Sequence, residues 1–116
     1  MAGELILRRA DGAVVCERCT LADSPVTRLK GLLGRDGLEQ GEGLLLQPAS
    51  SIHTFFMRFP IDVVFLDRTL VVVGIQDEIE PWRAAAQRGA KAVLELPAGE
   101  SSRRGLAVGD QLTLAA

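Results

Sequence analysis

Residues 51–67 read SIHTFFMRFPIDVVFLD and hold the only histidine of the chain, His53, together with Thr54, Arg58 and Asp62. Histidine is the side chain whose ordinary titration falls near neutrality, which suits it to general-base work. The planar fork of an arginine binds a carboxylate or a phosphate in two-point fashion. Arg58 and Asp62 bracket Phe59-Pro60, where proline must end or kink a strand because it cannot donate to a ladder. Glu95, inside KAVLELP, is a second carboxylate in an apolar run, and Arg35 closes the segment GLLGR. These six residues, Arg35, His53, Thr54, Arg58, Asp62 and Glu95, form the candidate site. A plainer reading stands beside it: His53 satisfied by a backbone carbonyl, and Arg58 paired with Asp62 or Glu95 at a strand break. A charged pair in so apolar a setting is costly unless something uses it.

Cys16-Glu17-Arg18-Cys19 is a CxxC, a spacing used by zinc sites and by thiol oxidoreductases. Zinc needs four ligands, and the chain offers one CxxC and one histidine. In regular strand geometry residues three apart face opposite ways, so the two sulfurs meet only across a turn or bulge. Two buried or half-buried thiols without a special role are the expectation. No nucleophile elbow of the form GxSxG occurs, and Gly41-Glu42-Gly43 is too short for a dinucleotide fingerprint. No metal or cofactor is expected.

These residues must be positioned by a chain of 116 residues, a length that fits one domain spanning 1–116. With 47% hydrophobic and 24% charged residues it is an ordinary globular mix. The formal charge of −2 gathers into no basic run, and aromatics are only 4%, so neither phosphate tracking nor base stacking has a footprint. Nucleic acid is not an expected partner. The N-terminus lacks the features of a secretory signal, and no apolar run approaches the roughly 20 residues that cross a bilayer. A cytoplasmic protein away from membranes, with reduced thiols, is expected.

The pattern is mainly β, a β-rich α+β domain built as a compact sandwich or barrel. ELILRR and AVVCER flank Asp11-Gly12, a hairpin signal over residues 4–19. SPVTRLKGLLGR predicts a helix near 25–33, with Ser24 as N-cap, Pro25 at the first position and Gly34 in the left-handed position that ends it. GLLLQP, IHTFFMRF, IDVVFLD and LVVVGI read as successive strands, the last two central and covered on both faces. QDEIEPWRAAAQRGA, with Trp82, reads as an irregular excursion, and KAVLELP as a strand. A second short helix is expected near 99–104, and LAVGDQLTL closes the chain as two extended pieces.

GLLGR at 31–35, IHTFFMRFPIDVVFLD at 52–67, PW at 81–82, VLELPAG at 93–99 and GD at 109–110 occur in an order that resembles the domain of unknown function 192 family, over about residues 20–114. On the matching positions Gly31, Arg35, Phe56, Met57, Pro60, Asp62, Glu95, Gly99, Gly109 and Asp110 are the family-like residues. The resemblance implies a compact β-rich domain with a helix after the first strands. It implies no activity, substrate or cofactor. Many relatives carry an N-terminal signal or anchor, from which this chain departs, and Cys16 and Cys19 lie outside the shared motifs.

Three functions follow. The first is a binding module whose polar cleft, beside the helix 25–33, holds a small anionic or polar ligand. The second is a hydrolase-type or other enzyme in the same cleft, with His53 or Asp62 as base and Arg58 or Arg35 stabilising charge. The third is a protein-interaction domain acting through Trp82 and the loop 76–90. An exposed apolar patch at Trp82, with the polar groups of the cleft mutually satisfied, would favour the third.

Overall fold

The computed structural model describes residues 4–24, 32 and 34–115. Among the described residues nine strands run in chain order: β1 (Glu4–Arg9), β2 (Val14–Ala22), β3 (Glu42–Leu46), β4 (Ser51–His53), β5 (Ile61–Leu66), β6 (Val72–Ile79), β7 (Ala84–Ala86), β8 (Ala92–Pro97) and β9 (Leu112–Ala115). A one-turn helix, α1 (Glu100–Arg103), follows β8. Seven strands form one mixed sheet in the order β6-β5-β8-β3-β2-β1-β9, and β4 and β7 form a separate antiparallel ribbon. Only β2 and β3 pair in parallel among these ladders.

The large sheet curls until its edges meet. Val71 bridges Gln111, and Val72 and Leu112 donate to the carbonyls of Asp110 and Leu70, both at 2.9 Å. This contact is confined to the start of β6 and of β9. The inner face buries Leu7, Val15, Cys16, Cys19, Leu45, Val64, Leu66, Leu94, Leu96 and Leu112. The outer face carries a second core of Leu44, Leu46, Met57, Ile61, Val63, Phe65 and Val93, joined by Ile52 and Ala85 from the ribbon. Two cores on opposite faces explain why β5 is buried at all six positions and, Asp62 apart, reads as an apolar run.

Local chemistry sets the turns. Asp11 accepts the amide of Ala13 at 3.0 Å and Gly12 takes φ 90°, which makes the first hairpin as its sequence predicts. Asp67 Oδ1 gathers the amides of Thr69 and Val71 and the Thr69 hydroxyl, and turns β5 into β6. Gly34 is left-handed at φ 82°. The predicted helix 25–33 lies outside the described residues apart from Leu32, which is buried in the outer core. The second predicted helix is α1, shorter by one residue at each end.

Four expectations about the strands need correction. IHTFFMRF is extended only to His53, because Thr54–Met57 fold into a turn in which Phe56 takes φ 65°. The strand from Val72 continues to Ile79 and is exposed at three consecutive positions, since β6 lies at an end of the sheet order. The excursion 76–90 contains β7, and LAVGDQLTL supplies one strand in place of two.

Gly43 lies inside the curled sheet, where a Cβ would sit 2.8 Å from Cys16 Sγ, 3.0 Å from Leu96 Cδ2 and 3.3 Å from the Glu95 carbonyl oxygen. Gly43→Ala is expected to cost about 2 kcal/mol through overpacking. An unchanged urea midpoint would show that the interior has slack at this point.

Candidate functional site

The six residues singled out from the sequence do not converge. β5 and β8 are antiparallel with Asp62 opposite Leu96 and Val63 opposite Glu95. Residues directly opposite share a face. Leu96 belongs to the inner core and Val63 to the outer one, so Asp62 and Glu95 point to opposite sides of the sheet. Arg58 meets neither; it is exposed and pairs with Asp36 at 2.7 Å. Arg35 pairs with both carboxylate oxygens of Glu42 at 3.1 Å. The Glu39 amide, and then Arg35, hold the Glu42 carboxyl below the ordinary carboxylate range. Both arginines expected to hold an anion therefore already have a carboxylate.

Asp62 is a structural clamp. It is fully buried, and its Oδ1 accepts the amides of Glu78 at 2.8 Å and Gly99 at 3.0 Å. Its Oδ2 accepts the Ser101 amide at 2.9 Å and faces the Ser101 hydroxyl at 2.7 Å. That hydroxyl also lies 2.6 Å from Asp77 Oδ1, and having one proton it donates to one carboxylate at a time. Next to it, Glu100 accepts the Gly41 amide at 3.3 Å and pairs with Arg103 and Arg104. Arg104 reaches on to the Val14 carbonyl at 2.9 Å and to Glu17. Asp62 and Glu100 thus fasten α1 and its entry loop to β5, β6 and the turn before β3.

Glu95 is 4% exposed, and no hydrogen bond or ion pair reaches its carboxylate among the described residues. Burial pushes its pKa up from the ordinary 4.5 to about 7.

Thr54 is also fully buried, and it organises the feature that does stand out. Its hydroxyl donates to the Glu80 carbonyl at 2.6 Å and accepts the Arg83 amide at 2.9 Å. Its own amide donates to Arg83 O at 2.8 Å, and its carbonyl accepts the amides of Met57 at 3.2 Å and Trp82 at 3.0 Å. The turns 54–57 and 80–83 are so held together, and the aromatic residues of both turn outward.

Phe55, Phe56 and Trp82 are 39%, 69% and 56% exposed. His53 stacks on Phe55 with ring centroids 4.9 Å apart and planes at 27°, and Phe55 stacks on Trp82 at 5.9 Å and 26°. Phe56 meets the edge of Trp82 at 4.6 Å and 61°. His53 Nδ1 accepts the Phe55 amide at 3.3 Å, which fixes the first ring of the strip. Phe56 and Trp82 both have left-handed backbones, at φ 65° and 67°. Such a conformation costs a non-glycine residue roughly 1–2 kcal/mol. Beside the strip, a shallow depression of about 410 Å³ is lined by Ser51, Ile52, His53, Ala84, Ala85 and Ala86.

Sequence reasoning singled out His53, Thr54 and Trp82, but read Phe55 and Phe56 as part of a strand, IHTFFMRF. The signal that separates them is the turn, which ends the strand alternation after His53. Among the described residues, no three of His, Cys, Asp and Glu group as they would to hold a metal, and no helix is long and apolar enough to cross a membrane.

The DUF192 family, described as "Uncharacterized ACR", matches residues 6–114. A UPF0127 protein of Thermococcus sibiricus is 30% identical over 113 residues, covering 93% of this chain and 73% of that protein. A crystal structure of a protein of unknown function from Novosphingobium aromaticivorans superposes with a TM-score of 0.82 at 24% identity, over 97% of this chain and 84% of the other. A protein of Sinorhizobium meliloti, described as a candidate transcription regulator, gives 0.85 at 24% identity, over 98% and 94%. At that identity the likeness is one of fold.

Proposed function

The chain belongs to the domain of unknown function 192 family, whose name assigns no activity, and on the geometry of its aromatic strip we propose that it is a recognition domain for an extended, proline-containing segment of a partner protein. The observation that carries this reading is the outward stack of His53, Phe55 and Trp82, with Phe56 on its edge. Three large rings kept in solvent, two of them on left-handed backbones, oppose the hydrophobic effect and the backbone preference together. Contiguous exposed apolar surface of this kind marks interaction sites. Near-parallel rings offer flat faces on which proline rings pack, and a polyproline-type segment arrives already extended, so little conformational freedom is lost on docking.

The small side chains of Ser51, Ala84 and Ala86 floor the neighbouring depression and let a peptide backbone approach closely. The polar-cleft readings lack comparable support. Arg35 and Arg58 are paired, Asp62 and Thr54 spend their oxygens on backbone amides and carbonyls, and Glu95 faces the opposite side of the sheet from Asp62.

Trp82 is the only tryptophan, so its fluorescence reports on the strip without labelling. Peptides selected from a random library on the immobilised protein are expected to be rich in proline and aliphatic residues and to shift that fluorescence. Trp82→Ala or Phe56→Ala is expected to weaken them at least tenfold, the scale of an aromatic hot spot of about 2 kcal/mol. Their melting temperatures should stay near that of the parent, because the Trp82 and Phe56 side chains are mostly in water. Peptides that bind both variants as well as the parent, or a saccharide that binds through Trp82 where no peptide does, would defeat the proposal.

A further inference from the structure

Cys16 and Cys19 are expected from spacing to face opposite ways, yet both are fully buried in the inner core. The cause is in the register of β2 on β1. Leu5 lies opposite Cys19 and Leu7 opposite Cys16, so two steps on β1 match three on β2. The extra residue is a β-bulge at Glu17-Arg18, both of which point to solvent. Leu5 and Leu7, two apart on a strand, share a face, and the cysteines opposite them share it too. The bulge thus converts a spacing that separates two sulfurs into one that joins them.

The register sets both sulfurs on the inner face, fully buried in one core, and Cys16 donates to the Gly41 carbonyl at 3.4 Å. Room for the Cys16 sulfur is made at Gly43, where even a methyl group would collide with it. The pair is chemically asymmetric. The neighbouring Cys19 thiol lowers the Cys16 pKa, and the Arg18 amide and Arg104 act in the same direction; Cys16 and burial raise that of Cys19. One sulfur is therefore prepared to be the nucleophile and the other keeps its proton until it resolves the product.

We propose that Cys16 and Cys19 are a redox pair that closes to an intramolecular disulfide across the β2 bulge when the protein meets a hydroperoxide. Cys16, as thiolate, attacks the terminal peroxide oxygen. The O–O bond breaks, a sulfenic acid forms on Cys16, and the departing hydroxide or alkoxide takes up the proton that Cys16 gave up. Cys19 sulfur then attacks the sulfenic sulfur; the S–S bond forms, the S–O bond breaks, and hydroxide leaves as water with the Cys19 proton. Two thiols lose two electrons, and the peroxide bond accepts them. Both sulfurs are sealed from solvent, so the oxidant enters when the turn carrying Gly41 opens over Cys16, and the reaction is slower than that of an exposed thiol. Closure draws the two strand positions towards the spacing a disulfide requires.

The test uses the full chain, treated with hydrogen peroxide, quenched by alkylation in denaturant and weighed. The expected product is monomeric, lacks the mass of two hydrogen atoms and has no alkylated cysteine. Trypsin cleaves after Arg18, so its two cysteine peptides stay joined only by the disulfide and part on reduction. In Cys19→Ser, or in Cys19→Ala should the serine disturb the core, Cys16 is expected to stop at a sulfenic acid that a dione reagent traps. Two alkylatable thiols in the treated parent, oxygen added in place of hydrogen lost, or a disulfide between two molecules would each overturn the proposal.

Discussion

Asp62→Ala is expected to destabilise the protein by about 4 kcal/mol, a large part of what a small domain possesses. The estimate follows from the donors left behind. The amides of Glu78, Gly99 and Ser101 all end on one buried carboxylate and alanine offers none of them an acceptor, while the Ser101 hydroxyl keeps only Asp77. A buried donor left unmade costs roughly 1–3 kcal/mol, reduced where water can reach it, as at the partly buried Glu78 and Gly99 contacts. Loss of the clamp also frees α1, whose Glu100 and Arg104 hold the turn at Gly41 and the start of β2. Ser101→Ala removes one donor together with its need and is expected to cost about 1 kcal/mol. Urea unfolding of the two variants decides the matter: an Asp62→Ala loss no larger than that of Ser101→Ala would mean that α1 is held by its apolar contacts and not by the carboxylate.

This role of Asp62 was only half legible in the sequence. That an aspartate inside IDVVFLD must have partners followed from its setting, but the partners come from residues 78, 99 and 101. No local pattern links those positions to it. The elements with strong local signals were readable: the Asp11-Gly12 hairpin, β5 and β8 as largely apolar runs, and the short helix after Gly99. The large aromatic residues were not. Phe55 and Phe56 sit in an apolar run that reads as a strand, and only the tertiary bonds of Thr54 to Glu80, Trp82 and Arg83 turn that run outward. The cysteine pair was hidden for a related reason. A bulge is a property of two strands in register, and spacing along one of them cannot reveal it.

Glu95 is expected to make the protein less stable as the pH rises from about 4.5 to about 7, and Glu95→Gln to abolish that decline. Below 4.5 the carboxyl is protonated whether the chain is folded or not, and the group contributes nothing. Between the two values the unfolded chain releases the proton while the folded one keeps it, so each step up in pH favours unfolding. Above about 7 the penalty is complete. A rise from 4.5 to about 7 corresponds to about 3 kcal/mol, and burial of the residue leaves little solvent screening to reduce it. The opposite sign belongs to Glu42 and Glu100, whose lowered values give stability that is present above the ordinary carboxylate range and lost as pH falls below it. The two effects occupy different windows and separate cleanly. Urea midpoints of the parent at pH 5 and pH 8 should differ by most of the Glu95 penalty. Glutamine cannot ionise, so the variant should change little between those pH values and exceed the parent at pH 8, less whatever the buried amide costs for want of a partner. A parent equally stable at both pH values would show that the carboxylate gains a partner when it ionises, which would make the outer face of β8 more polar than Leu44 and Val63, the residues opposite Glu95, allow.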